Sequence, residues 1–152
     1  MRPFTAPFVV ALLGWQAISP PIGVAGGFEA LQYVRVTVSL SDTTLQPGQT
    51  EDLHVAFNPA DDISIIAKPA VEISLAPTRL VTLTGGPRQD VDRSTGYIST
   101  HSPITQRFTV SKDAQWGAYT VKGSLVYFYC SNSKGWCRKQ VEPIEFTITI
   151  AP

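Results

Sequence analysis

Cys130 and Cys137 are the two cysteines of the 152-residue chain, and Ser131-Asn132-Ser133-Lys134-Gly135-Trp136 runs between them. Two thiols this close can form, break and exchange a disulfide by thiolate attack. They can equally lock a hairpin loop. The chain-entropy model gives such a lock about 2.5 kcal/mol for a loop of about eight residues, and it would restrain ends that strand pairing already brings together. Lys134, Arg138 and Lys139 surround the pair, and positive charge favours the thiolate and so eases exchange. Residue types alone leave exchange and staple both open.

Other chemistries are poorly supplied. A zinc site would need two more ligands, which only His54 and His101 could provide as imidazoles. Zinc-binding cysteines usually sit two to four residues apart, closer than this pair. Met1 is the one methionine, too little for a thioether copper site. No metal and no cofactor are expected. His54 lies beside Asp52, yet no serine stands in a recognisable nucleophile setting. Asp61-Asp62 reads as a turn, Asp90-Val91-Asp92 as a solvated loop and Trp116 as a packed turn residue. No glycine-rich phosphate loop follows a strand.

The elements that must position the cysteines read as strands. Val34, Val36, Val38 and Leu40 alternate with polar residues, as do Leu53, Val55 and Phe57, which marks half-buried strands. Gln46-Pro47-Gly48-Gln49 suits a type II turn, with glycine after proline. Ile63 to Ile66 is a short apolar run, Val71, Ile73 and Leu75 alternate again, and 79–83 is a weaker strand candidate. Residues 84–102 read as a long loop with one short edge strand near Tyr97. Phe108 and Val110 resume the pattern, 118–129 is the longest strand, and Ile144, Phe146, Ile148 and Ile150 form the last. About seven strands without helical periodicity predict an all-β, immunoglobulin-like antiparallel sandwich.

Strand side chains alternate between faces. Tyr119, Val121, Leu125, Tyr127 and Tyr129 share one parity and should face the core. Cys130 shares the other parity with Val126 and Phe128, and Cys137 shares its parity with Glu145 and Thr147. Both cysteines are therefore expected to point outward, beside an apolar spot that Trp136 should join.

The ends bound the setting. Arg2, the apolar run from Phe8 to Leu13, Pro20-Pro21 and the small residues Gly23-Val24-Ala25 predict a secretory signal over residues 1–25. The run is too short for a membrane helix, which needs about 20 residues. Residues 26–152 are expected to form one domain in the periplasm or outside the cell, where disulfides persist. Without the leader, 11 basic residues stand against 12 acidic ones. No basic stripe points to nucleic acid.

The stretch Leu125-Val126-Tyr127-Phe128-Tyr129-Cys130, the short loop, then Trp136-Cys137 and a final alternating strand resembles the N-terminal periplasmic domain of DsbD, the thiol:disulfide interchange protein. Leu45-Gln46-Pro47-Gly48 and the strands to Leu75 extend the resemblance more weakly. It implies an immunoglobulin-like sandwich in which Cys130 and Cys137 exchange disulfides, as a protein-disulfide oxidoreductase or redox carrier. Trp136 is implied as the flanking aromatic and, with Phe128, as a docking surface. Members of the family shield the pair with a cap loop. The comparable region here, roughly 96–103, offers Tyr97 and His101. The resemblance covers the N-terminal domain alone, so the expected partner is a thioredoxin-fold or membrane thiol–disulfide protein acting in trans. The competing expectation is a non-enzymatic protein-binding sandwich with a structural disulfide.

Overall fold

The computed structural model describes residues 32–152; the leader expected at 1–25 lies outside them. Nine strands run in chain order among the described residues: β1 (Val34–Leu40), β2 (Thr44–Leu45), β3 (Thr50–Pro59), β4 (Ile63–Ile65), β5 (Glu72–Leu75), β6 (Val81–Arg88), β7 (Ile104–Val110), β8 (Gly117–Ser131) and β9 (Cys137–Ile150). One sheet has the order β1-β3-β7-β6. The other has the order β2-β9-β8-β4, with β5 also pairing β8. The architecture is an immunoglobulin-like β-sandwich. No helix among the described residues is long and apolar enough to cross a membrane.

Alternation in sequence becomes alternation in burial. Leu53, Val55 and Phe57 of β3, Val121, Leu125, Tyr127 and Tyr129 of β8, and Ile144, Phe146, Ile148 and Ile150 of β9 are all buried. Their intervening residues face away from the core. Phe57 meets Tyr127 edge-on with ring centroids 4.8 Å apart, and Phe108 meets Phe146 at 5.4 Å. Each pair bridges the two sheets, and such contacts contribute roughly 0.5–1.5 kcal/mol beyond the area they bury. In the Gln46–Gln49 turn, Gln49 N–H donates to Gln46 O at 3.0 Å. Gly48 has φ +80°, the left-handed conformation required at that place.

Three features depart from the sequence reading. β2 is a two-residue strand that pairs in parallel with the end of β9, too short to leave a periodic trace. β6 continues through Gly85-Gly86-Pro87 to Arg88, where a loop was expected. Its register with β7 shifts between Thr84 and Arg88, and Gly85 takes φ +68°. Gln106, 1 % exposed, donates from Nε2 to the carbonyls of Thr84 and Gly85 at 3.3 and 3.2 Å. A buried amide thus satisfies the backbone that the bulge leaves unpaired. The rest of the expected loop is ordered as well. Asp92 N–H donates to Tyr97 O, Gly96 N–H to Asp92 O and Ile98 N–H to Ile65 O, each at 2.8–2.9 Å. This turn lays Tyr97 and buried Ile98 along the free side of β4.

The third departure positions the cysteines. β9 begins at Cys137 rather than near Ile144, so the β8–β9 ladder runs unbroken from Gly117↔Ile150 to Cys130↔Cys137. Its first half carries no apolar alternation because β8 supplies the bulk there. Opposite Leu125, Tyr127 and Tyr129, β9 presents Glu142, Gln140 and Arg138. Tyr127 Oη donates to Glu142 Oε2 at 3.2 Å, so the polar residue serves the buried phenol.

Candidate functional site

The two cysteines form the terminal cross-strand pair of the longest ladder. They are directly opposed, disulfide-bonded, with Cα atoms 4.0 Å apart. Directly opposed residues share a face, and the parity of this pair is that of Phe128 and Val126, away from the core. The two cysteines are unequal in exposure. Cys130, flanked by Ser64 of β4 on one side and Cys137 on the other, is 8 % exposed. Cys137, on the outer strand, is exposed.

An apolar strip leads away from the disulfide on the same face. The next pair on this face is Phe128 with Lys139, and the one beyond is Val126 with Val141. Val141 is 57 % exposed. Ile66 N–H donates to Phe128 O at 3.0 Å, which sets Ile66 beside Phe128, and Tyr97 bridges Ile66. The row Tyr97, Ile66, Phe128, Lys139 therefore crosses the sheet one step below the cysteines. Tyr97 is half-buried two strand spacings from the Cys130 strand, roughly 10 Å across the sheet. His101 is exposed beyond it, in the turn before β7.

Trp136 is placed elsewhere. Ser131 N–H donates to Trp136 O at 2.9 Å, so Trp136 opposes Ser131 and shares its core-side face. Its ring lies 5.8 Å from Tyr129 and 5.3 Å from Tyr33. The Arg138 guanidinium sits over it at 4.5 Å. Phe128 and Trp136, expected as one docking surface, are thus on opposite faces of the sheet. Arg138 is engaged with the aromatic rings, and Lys139 is the β9 cation on the cysteine face.

The loop between the cysteines is held by a residue that the sequence reading treated as a plain turn. Asp62 stands in the β3–β4 connection with φ +72°. Its carboxylate accepts from Ser131 Oγ at 2.6 Å, Ser133 Oγ at 2.7 Å and Ser133 N–H at 2.7 Å. Its carbonyl accepts Asn132 N–H at 2.9 Å, and Asn132 Nδ2 donates to Ser64 Oγ at 2.9 Å. The Ser131 hydroxyl, then the Ser133 hydroxyl and amide and the charge of Lys134, hold the Asp62 carboxyl below the usual carboxylate range. The available signal was the hydroxyl-rich run Ser131-Asn132-Ser133, whose donors need an acceptor.

A second polar cluster lies on the outer face of the other sheet. Ser41 Oγ and His54 Nε2 are 3.0 Å apart. Asp52 is committed to Arg107 at 3.0 Å and Arg88 at 3.1 Å, and the Arg107 hydrogen bond lowers its pKa. His54 Nδ1 has no hydrogen-bond partner. Asp52 therefore does not orient the imidazole, and the serine–histidine contact lacks the third member of a relay.

No family model and no curated protein sequence matches the chain. Among solved structures it is similar to the N-terminal domain of DsbD from Neisseria meningitidis in the reduced form. The identity is 19 % over 75 % of this chain and 84 % of that one, with a TM-score of 0.37. The likeness is too loose to assign a function.

Proposed function

We propose that the chain is an exported thiol–disulfide exchange domain that passes reducing equivalents between partner proteins through Cys130 and Cys137. The observation that carries this reading is the position of the disulfide. It closes the last pair of a ladder that already holds its two ends together, and it lies on the outer face with one of its two cysteines exposed. A bond there adds little to the specification of the fold and is reachable by a second protein.

The exchange follows from the unequal exposure. A thiolate of a dithiol partner attacks Cys137 Sγ, forms an intermolecular disulfide and expels Cys130 as a thiolate, which takes up a proton. The partner's second thiolate then attacks its own sulfur in the mixed disulfide and releases Cys137. The partner ends as a disulfide and this domain as a dithiol. Reversal oxidises the domain. Phe128, Val126 and Val141 form the docking strip, and Lys139 beside Phe128 favours thiolate on that face. The partner is a thioredoxin-fold or membrane thiol–disulfide protein in trans, in the periplasm or outside the cell. Trp136 packs edge-on against Tyr129 behind the sheet and is not a docking contact. Tyr97 borders the strip, and His101 lies outside it.

The test is trapping. A Cys130→Ser variant, which keeps exposed Cys137, should form a mixed disulfide with a thioredoxin-fold protein that lacks its resolving cysteine and carries thionitrobenzoate on the remaining one, the Cys137 thiolate attacking that disulfide and thionitrobenzoate leaving. It should do so at least tenfold faster than Cys137→Ser. Failure of both variants to trap would favour the structural-disulfide sandwich.

A further inference from the structure

We propose that Asp62 is a positioning residue of the exchange site: its carboxylate holds the inter-cysteine loop in place, and with it the two sulfurs in register while the disulfide is open. This role rests on the exchange reading above.

The need for such a residue follows from the geometry. Cys130 and Cys137 are the last pair of the β8–β9 ladder, and hairpin ends are where ladders open most readily. While the disulfide is intact, the covalent bond closes this end. Once it is reduced, only backbone pairing and contacts made from outside the hairpin can keep the thiols opposed. Beside the Asn132–Ser64 hydrogen bond and the Trp136–Tyr33 contact, Asp62 supplies the largest set of those contacts from the β3–β4 connection, which belongs to a different part of the chain. Its carboxylate takes both serine hydroxyls and the Ser133 amide. Ser131 Oγ in turn accepts Lys134 N–H at 3.1 Å, so the anchor reaches through the loop toward Cys137.

Two features separate this from an ordinary turn. Asp62 adopts φ +72°, a conformation that glycine takes at no steric cost. A side chain is nonetheless present there, and every one of its acceptor contacts is to the cysteine loop. Ser131 also alternates with Cys130, so the anchor sits on the side of the sheet opposite the sulfurs. It fixes the hairpin end without covering the exposed Cys137.

The consequence is a higher effective concentration of one thiol at the other in the reduced protein. That favours the disulfide and speeds release of a partner from the mixed disulfide. Removing the carboxylate should lower the effective concentration about tenfold. For a two-electron couple this makes the potential about 30 mV more oxidising. Asp62→Gly and Asp62→Asn both accept a positive φ, so the turn itself is spared.

The experiment is a glutathione titration of the full chain as wild type, Asp62→Gly and Asp62→Asn, with thermal midpoints of each in both redox states. The expected result is a potential about 30 mV more oxidising in the variants, with a larger drop in midpoint for the oxidised protein than for the reduced one, since a contact that favours the disulfide is strengthened by it in equal measure. Ser133→Ala, which keeps the amide contact, should shift the equilibrium in the same direction by about threefold and covers the case in which an Asp62 variant does not fold. A wild type that exchanges with glutathione while all three variants keep its potential would overturn the role of Asp62 and leave the exchange reading intact. A wild type that resists glutathione throughout would overturn both.

Discussion

Replacing Cys130 and Cys137 together by alanine should leave a folded sandwich with a bounded loss of stability. The bound comes from the structure. The disulfide spans a sequence separation of 7, so it restricts only a short loop of the unfolded chain. The chain-entropy model sets that restriction at about 2.5 kcal/mol. In the folded state the same hairpin end is held by the β8–β9 ladder, by the hydrogen bonds to Asp62 and by Trp136 against Tyr129 and Tyr33. None of these needs the covalent bond. The double variant should therefore lose at most about 2.5 kcal/mol, or about 10 °C in Tm for a domain of this size. Urea unfolding of the oxidised wild type and the double variant, followed by circular dichroism, measures the difference. The same quantity appears in the redox cycle: at about 30 mV per 1.4 kcal/mol, the folded and unfolded potentials should differ by no more than about 55 mV. A variant that loses more than about 4 kcal/mol, or is unfolded at 37 °C, would refute this reasoning and mark the bond as essential to the fold.

Further outcomes follow from the same geometry. Phe128→Ser should leave the reduction potential unchanged yet slow exchange with a thioredoxin-fold partner several-fold; an unchanged rate would remove the strip as a docking surface. Because the folded-state pKa of Asp62 is depressed, its contacts to the loop should hold above the ordinary aspartate value and be lost as pH falls through the lower folded value. The Ser133 amide resonance should report a midpoint below about 3.9, and a midpoint at or above that value would contradict the ionised contact. Asp52 and Asp92, held low by Arg107 and Ser94 respectively, titrate on the same side, so a local probe is required. Gly123→Ala should cost roughly 1–3 kcal/mol, because the added Cβ would meet the Ser74 carbonyl and the Leu75 side chain where β5 pairs β8. A loss under about 0.5 kcal/mol in urea would mean that β5 moves aside freely.

Where the sequence was legible, side-chain parity carried the information. The core-facing residues of β3, β8 and the end of β9 stood out by alternation alone, and the β8 parity also set Cys130 on the face of Phe128. Parity does not pass through a loop, however, and Trp136 illustrates the limit. Its position beside Cys137 in sequence says nothing of the Ser131 pairing that turns it toward Tyr129. The start of β9 was hidden for another reason. Arg138, Gln140 and Glu142 occupy core-parity positions, but the bulk opposite them comes from the aromatic side chains of β8, so no hydrophobic period marks the strand. Gly85-Gly86-Pro87 has the composition of a loop, and only the buried Gln106 across the sheet makes it a bulge. Asp62 is a long-range feature: its turn was visible, but its contacts lie some seventy residues away, in the cysteine loop.

The most direct test of the central claim is the equilibrium of the Cys130–Cys137 disulfide with a glutathione series, read by the fraction of protein that takes up a thiol-alkylating reagent. An exchanging pair should equilibrate within the accessible range, at a potential more oxidising than about −300 mV. A disulfide that stays closed across the whole series would be a structural staple and would contradict the account.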